Sequence, residues 1–215
     1  MNWHHAVIGI MALLVVAMTP PPAGMPMPQA YDNLVPAYAT VQNPVATTDY
    51  VRGRVVWTAS RFVGWREATG RNDGQNIDAI LSTVGLQGRQ LPYCAAFVHF
   101  SGVQAGYPSL YPRSGKASDM VYGNYWSAST GYLARPADTF GVMSYIAKER
   151  QWRIGHTGIV ERDLGNAILT IEGNTGPNSQ QGTAADREGQ GIFRKRRLKS
   201  QMIYFKDWVS VYRGG

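Results

Sequence analysis

The spacing of apolar positions changes along the chain, from a helical period in the first half to a strand period in the second. Two runs with apolar residues at helical spacing, 51–63 and 77–84, predict two helices. Asn72-Asp73-Gly74 precedes the second run as its cap and turn. A third helix should begin at or just after Cys94 and end where Gly106-Tyr107-Pro108 breaks the pattern.

The second half alternates apolar and polar residues with the period of two that is typical of strands. Between the two halves, residues 107–136 are dense in Gly, Ser, Tyr and Pro, and they predict a long irregular segment with one short helix near 118–122. Helices followed by a run of strands indicate an α+β fold with an antiparallel sheet. The predicted strands are 142–146, 157–161, 167–172, 191–196 and 202–212.

Two of these strands form a predicted hairpin that brings an imidazole close to a carboxylate. Asp163-Leu164-Gly165 reads as a three-residue loop whose glycine adopts a left-handed conformation. Arg162 then lies opposite Asn166, and counting outward from this pair places His156 opposite Glu172. Directly opposite residues share one face of a sheet, so the two side chains should meet. Asn174 projects from the same face if the strand continues.

The N-terminal region predicts export. Residues 6–18 form an unbroken apolar stretch that suits a signal-peptide core better than a membrane span. We therefore predict a signal peptide over 1–30, with an uncleaved N-terminal membrane anchor as the alternative. Residues 31–48 read as a Pro-rich linker, and 49–215 as one globular domain. The localisation expected is periplasmic, or extracellular at the cell envelope.

The net charge of the chain limits the classes of binding partner that we expect. The chain carries 21 Lys and Arg against 14 Asp and Glu, a formal net charge of +7. The densest basic run, 194–199, suggests contact with anionic envelope polymers, and a solvated strand without a specific partner explains it equally well. Nucleic-acid binding is not expected, because no recognised module with base-stacking aromatic residues is present.

Cys94 is the only cysteine in the chain, so it forms no internal disulfide. It is therefore a buried small hydrophobe, an intermolecular link or a nucleophile. A cysteine nucleophile needs a histidine base held by a third polar group, and His156 with Glu172 or Asn174 supplies both. A helix N-terminus would also favour the thiolate and stabilise an oxyanion. His156 opposite Glu172 could equally be a structural ion pair.

Other chemistries fit the sequence less well. His99 lies five positions from Cys94 along the same predicted helix, which turns it away, and it reads as a half-buried packing residue. One cysteine and one suitable histidine are too few ligands for a tetrahedral zinc site. The chain has no Gly-x-Ser-x-Gly nucleophile elbow.

Four blocks, in order along the chain, resemble the cysteine- and histidine-dependent amidohydrolases and peptidases, the CHAP family. The blocks are Arg66-Glu67-Ala68-Thr69-Gly70-Arg71-Asn72-Asp73-Gly74, Pro92-Tyr93-Cys94-Ala95-Ala96-Phe97-Val98, Gly155-His156-Thr157-Gly158-Ile159-Val160-Glu161 and Thr170-Ile171-Glu172-Gly173-Asn174-Thr175. The resemblance implies a papain-like fold, with N-terminal helices packed on a central antiparallel sheet. It also implies hydrolysis of amide bonds in bacterial peptidoglycan, by an amidase or an endopeptidase.

The resemblance carries over Cys94 as nucleophile, His156 as general base, and Glu172 or Asn174 as the orienting residue, with Glu172 favoured by the hairpin register. It also suggests substrate-binding positions, at Asn72, Asp73, Tyr93 and Gly155. Tyr93 departs from the family, which usually has Trp there, and keeps an aromatic wall of different shape.

No cofactor and no metal are expected, because residues 86–90 lack the carboxylates of the calcium loop that some relatives carry. Two alternatives stay open. One is an inactive envelope-binding protein of the same fold, and the other is a cysteine amidase that acts on an amide outside peptidoglycan.

Overall fold

A computed structural model describes residues 47–123, 126–127, 131–146, 150–177, 190–201 and 204–213. The predicted signal peptide or anchor, and nearly all of the predicted linker, lie outside these ranges. Within the part of the chain that is described, none of the helices has the length and apolar character needed to span a membrane.

Three α-helices form the first half of the domain: α1 (Thr48–Ser60), α2 (Gln75–Ser82) and α3 (Cys94–Gln104). All three correspond to the helices that the apolar spacing predicts. Gly74, the last residue of the predicted cap and turn, occupies the N-cap of α2 and supplies no side-chain hydrogen bond. The Asp73 carboxylate instead accepts hydrogen bonds from the backbone and hydroxyl of Thr69, at 2.9 and 2.6 Å.

Six antiparallel strands form one sheet in the described residues, in the order β1-β6-β2-β3-β4-β5. The predicted α+β class with an antiparallel sheet is therefore confirmed. The strand expected over 202–212 is much shorter, because the chain turns after Lys206. A 3₁₀ helix at Ala117–Val121 matches the expected short helix. The strands are β1 (Trp126–Ser127), β2 (Thr139–Ile146), β3 (Gln151–Asp163), β4 (Ala167–Thr175), β5 (Gly191–Leu198) and β6 (Tyr204–Lys206).

The sheet contributes to two apolar clusters. Ile159, Ile171 and Ile192 pack with the three helices in the larger cluster. A smaller cluster contains Val160 and Ile168 together with Phe140, Val142 and Phe205. Val160 follows Ile159 on β3, and Ile168 is an odd number of residues from Ile171 on β4. Because successive side chains of a strand point to opposite faces, the two clusters lie on opposite faces of the sheet.

A buried arginine connects α1 to distant parts of the chain. Arg52 donates to the Pro136 carbonyl and to Asp138, both at 2.8 Å, and to Asp207 at 2.6 Å. Asp138 is fully buried and also accepts a hydrogen bond from the Tyr132 hydroxyl at 2.8 Å. These contacts hold the irregular segment before β2 against the first helix.

Candidate active site

Cys94 is the first residue of α3, as the sequence predicts, and 4% of it is exposed. The first-turn amides of a helix have no intrahelical acceptors, so a group next to Cys94 faces unpaired N–H donors and the positive end of the helix dipole. α3 lies close to β4 at Gly173, where an added Cβ would be 2.7 Å from the Cβ of Phe97. The missing side chain at Gly173 therefore lets α3 pack closely against β4.

His156 lies on β3 and is fully buried. Its Nε2 is 2.8 Å from Oε2 of Glu172. Its Nδ1 has no hydrogen-bond partner among the described residues, and the thiol of Cys94 is near enough to raise the pKa of the ring. Since Nε2 is occupied by the carboxylate, Nδ1 is the atom available to the thiol. The structure therefore brings Cys94, His156 and Glu172 together.

The hairpin register differs from the prediction, although its turn glycine is left-handed as expected, with φ of 83°. Arg162 pairs with Leu169 rather than Asn166, and Ile159 pairs with Ile171. Continuing this pairing places Gly158, and not His156, opposite Glu172. The displacement at the site is an even number of residues, so both side chains remain on one face. A carboxylate can then reach its diagonal neighbour across the strands.

Gly158 makes this diagonal contact possible. A Cβ added there would lie 2.7 Å from Cγ of Glu172, which is too close for a real side chain. The Glu172 side chain therefore occupies the space above Gly158 on its way to His156. A side chain at position 158 would therefore displace the Glu172 carboxylate.

Replacing Gly158 with alanine should lower any catalysis that depends on the His156–Glu172 contact by about 10- to 100-fold, because the added methyl group displaces Glu172 from His156. Gly141→Ala is the matched control, since the atoms nearest to its new Cβ belong to the side chains of Val121 and Ile154, at 3.1 and 3.2 Å. Initial rates and urea unfolding of both variants check this expectation. Full activity in Gly158→Ala would contradict the assigned role of Gly158.

Arg197 is a member of the site that the sequence reasoning missed. Its Nε and a terminal nitrogen donate to the two oxygens of Glu172, at 2.6 and 2.5 Å. The Thr170 hydroxyl donates to the same carboxylate. Arg197 belongs to the basic run that the sequence assigned to the surface, yet only 1% of it is exposed. The available signal is strand alternation, which places Arg197 on the same face of β5 as buried Phe193.

Burial and neighbouring charges shift the pKa values of His156 and Glu172 in opposite directions. Burial disfavours the charged imidazole, but hydrogen bonds and charge interactions with Cys94 and Glu172 outweigh it and raise the pKa of His156 to about 9. Burial also disfavours the Glu172 carboxylate, but the charge of Arg197 and hydrogen bonds from Arg197 and His156 hold the pKa of Glu172 well below its usual value. An ionised carboxylate facing a protonated ring is therefore the stable state at neutral pH.

Tyr93 and Asn174, both candidate site residues, are fully buried. The Tyr93 hydroxyl donates to Glu67 at 3.1 Å and accepts a backbone hydrogen bond from Asn174, whose φ is 57°. Tyr93 thus supports the start of α3 from within the fold, and its contact with substrate stays a prediction. The resolved partner of the imidazole is the carboxylate of Glu172 rather than the Asn174 amide.

The remaining predicted substrate positions are partly exposed. Asn72 donates its backbone N–H to Glu67 at 2.9 Å. Glu67 also accepts the Tyr93 hydroxyl at 3.1 Å, which places the 66–74 segment beside the start of α3. Asp73 is held by Thr69, and Gly155 directly precedes His156 on β3. Glu67 thus receives hydrogen bonds from two parts of the site, and the sequence offered no specific sign of this. Substrate binding at these positions stays a prediction.

Three cations of the basic run are engaged by carboxylates of the protein itself. Arg197 binds Glu172, Arg194 donates to both oxygens of Glu161 at 3.0 Å, and Lys199 lies 2.5 Å from Asp163. The run is therefore solvated only in part, because Arg194 and Arg196 are exposed whereas Arg197 is buried. Alternation accounts for the difference, because adjacent residues of β5 face opposite sides of the sheet.

His99 is buried and its Nδ1 lies 3.1 Å from the Tyr111 carbonyl, so it serves in packing, as expected. In the described part of the chain no three His, Cys, Asp or Glu residues are grouped so that they could hold a metal ion.

No protein-family model matches the chain, and comparisons with curated proteins and with solved structures give no significant match. The resemblance to the CHAP family therefore rests on the four sequence blocks alone.

Proposed function

We propose that this protein is an exported cysteine hydrolase with a papain-like fold that cleaves amide bonds of bacterial peptidoglycan. The observation that carries the proposal is the convergence of Cys94, His156 and Glu172 at the start of a helix. A thiol beside an imidazole that is oriented by a carboxylate is the arrangement that nucleophilic catalysis by cysteine requires.

In the proposed reaction, Nδ1 of His156 holds the proton given up by Cys94, and the thiolate of this ion pair attacks the carbonyl carbon of the scissile amide. First-turn amides of α3 stabilise the negative charge that develops on the carbonyl oxygen. Protonated His156 then donates its proton to the leaving amine, and a thioester to Cys94 remains. His156 next removes a proton from water, the hydroxide attacks the thioester, and the thiolate is released.

Glu172 has a constant role in both halves of this reaction. Its contact with Nε2 fixes the orientation of the ring and stabilises the imidazolium when it forms. Because Glu172 remains ionised, it holds no proton that it could exchange with the ring. The proton therefore moves only between Nδ1, sulfur, the leaving amine and water.

Peptidoglycan is proposed as the substrate on three grounds. The four blocks of resemblance are those of a family that acts on it, and the predicted leader would deliver the protein to the envelope. The net charge of +7 suits a polymer that carries carboxylates. The amide bond that is cleaved defines whether the enzyme is an amidase or an endopeptidase.

The test is incubation of the purified full chain with cell walls in reducing buffer, followed by mass spectrometry of the soluble products. We expect muropeptides with one new amine and one new carboxyl group per cleavage, and none with Cys94→Ala. A defined muropeptide then identifies the bond. Absence of products from the intact protein, on walls of several compositions, would count decisively against the proposal.

A further inference from the structure

Arg197 is placed where a solvent-exposed residue was expected. It lies on β5, the edge strand of the sheet, yet its side chain is buried and extends to Glu172. Both its Nε and a terminal nitrogen bind the carboxylate, and its guanidinium carbon lies 5.8 Å from the centre of the Phe140 ring. A bidentate pair of this kind holds a carboxylate in one orientation.

The buried charges of the site balance only when Arg197 is counted. In the reactive form, Cys94 and Glu172 are negative, and His156 and Arg197 are positive. Without the guanidinium, two negative groups would share one imidazolium in a site that excludes most water, and the second negative charge would be costly. In that case the thiolate of Cys94 would take up a proton and become a neutral thiol.

Other titratable groups near the site do not alter this balance. Tyr93, which precedes Cys94, is kept neutral because burial raises its pKa well above the usual value. Glu67 reaches the site only through the Tyr93 hydroxyl. The groups that face His156 and Glu172 are therefore Cys94 from α3 and Arg197 from β5.

We propose that Arg197 is a positioning residue that neutralises Glu172, so that the carboxylate orients His156 without suppressing the thiolate of Cys94. The proposal rests on the proposed hydrolase function for its biological meaning. Its physical content concerns only the ionisation of the site. Arg197 acts through Glu172 and does not itself contact substrate.

The experiment measures alkylation of Cys94 by iodoacetamide as a function of pH in the full chain. Cys94 is the only cysteine, so intact mass reports on it directly. The variants are Arg197→Met, Arg197→Lys, Glu172→Gln and the double variant Glu172→Gln/Arg197→Met. Arg194→Met is the matched control on the same strand, because it removes an exposed arginine paired with Glu161.

In Arg197→Met, the uncompensated carboxylate disfavours the thiolate and favours the imidazolium. The pH of half-maximal alkylation should therefore rise by about one unit, with a roughly tenfold slower reaction at pH 6. Arg197→Lys keeps the charge and should stay near the wild-type profile. Glu172→Gln should shift the profile to lower pH, and the double variant should return toward wild type because both charges are removed together.

Unshifted profiles in Arg197→Met would overturn the proposal, as would a double variant that lies no closer to wild type than the single one. A merely structural role would slow alkylation at every pH without moving its midpoint. If Arg197→Met does not fold, the Arg197→Lys and Glu172→Gln profiles still decide the matter. Because alkylation needs no substrate, shifted profiles without wall hydrolysis would refute the proposed function and leave this inference standing.

Discussion

Cys94→Ala should lower cell-wall hydrolysis by at least about 1000-fold, because the variant lacks the atom that forms the thioester. The residual rate would come from binding and the first-turn amides alone. The structural cost should be small, since the change removes only one sulfur atom and alanine favours the helix that begins at this position. Product release measured by mass spectrometry, with thermal unfolding of the same samples, checks both statements.

Ser101→Ala is the matched control for this variant. Ser101 lies on the same helix, is also buried, and its hydroxyl donates to the Phe97 carbonyl at 2.8 Å. We expect this variant to lose some stability and to keep its activity. Wall hydrolysis that survives in Cys94→Ala would place the chemistry elsewhere in the protein.

His156→Gln should also lower hydrolysis by at least about 1000-fold, because an amide cannot accept the thiol proton or protonate the leaving amine. It should abolish alkylation of Cys94 at mildly acidic pH. His99→Gln is the control, since that ring lies on the Tyr111 carbonyl away from the site. Alkylation of His156→Gln at the wild-type rate at pH 6 would mean that the imidazole does not activate the thiol.

The pH dependence follows from the same ring. Because the pKa of His156 rises to about 9 from its ordinary value of 6.5, activity that needs the imidazolium should fall as pH rises through about 9. The raised pKa stabilises the folded protein fully below 6.5, and this contribution is lost as pH rises through 9. Urea unfolding at pH 6 and pH 10 should show the loss in wild type and a smaller one in His156→Gln.

An NMR titration of the His156 ring tests which groups raise its pKa. In Cys94→Ala the imidazole loses the contribution of the thiol, so the pKa of His156 should fall below its wild-type value. The Glu172 contact remains in this variant and should keep the titration distinct from that of His99, whose pKa is lowered by burial. An unchanged His156 titration would show that the thiol and the ring do not interact.

The helices and the sheet could be predicted because their signals are local. The start of α3 at Cys94 follows from the breaker at Leu91-Pro92 and the apolar run after it. The left-handed Gly165 follows from the preference of tight turns for glycine. The short final strand could not be predicted, because its alternating pattern continues past Lys206 although the chain turns there.

The hairpin illustrates how far local reasoning reaches into the site. The period of two shows that His156 and Glu172 share a face, and this holds in the structure. The period does not show which residues are opposite each other, because an extra residue on β3 between Val160 and Arg162 changes the pairing. The expected pair is therefore a diagonal one, and it depends on the absence of a side chain at Gly158.

By itself, the sequence determined the α+β class with an antiparallel sheet, the placement of the only thiol at the start of a helix, and the common face of an imidazole and a carboxylate. These features depend on neighbours along the chain and on the periods of helices and strands. Only the tertiary structure decided that Arg197 turns inward to Glu172 and that Glu172 reaches His156 over a glycine. Those contacts join residues from separate strands, and their geometry depends on register, bulges and packing, which no local pattern records.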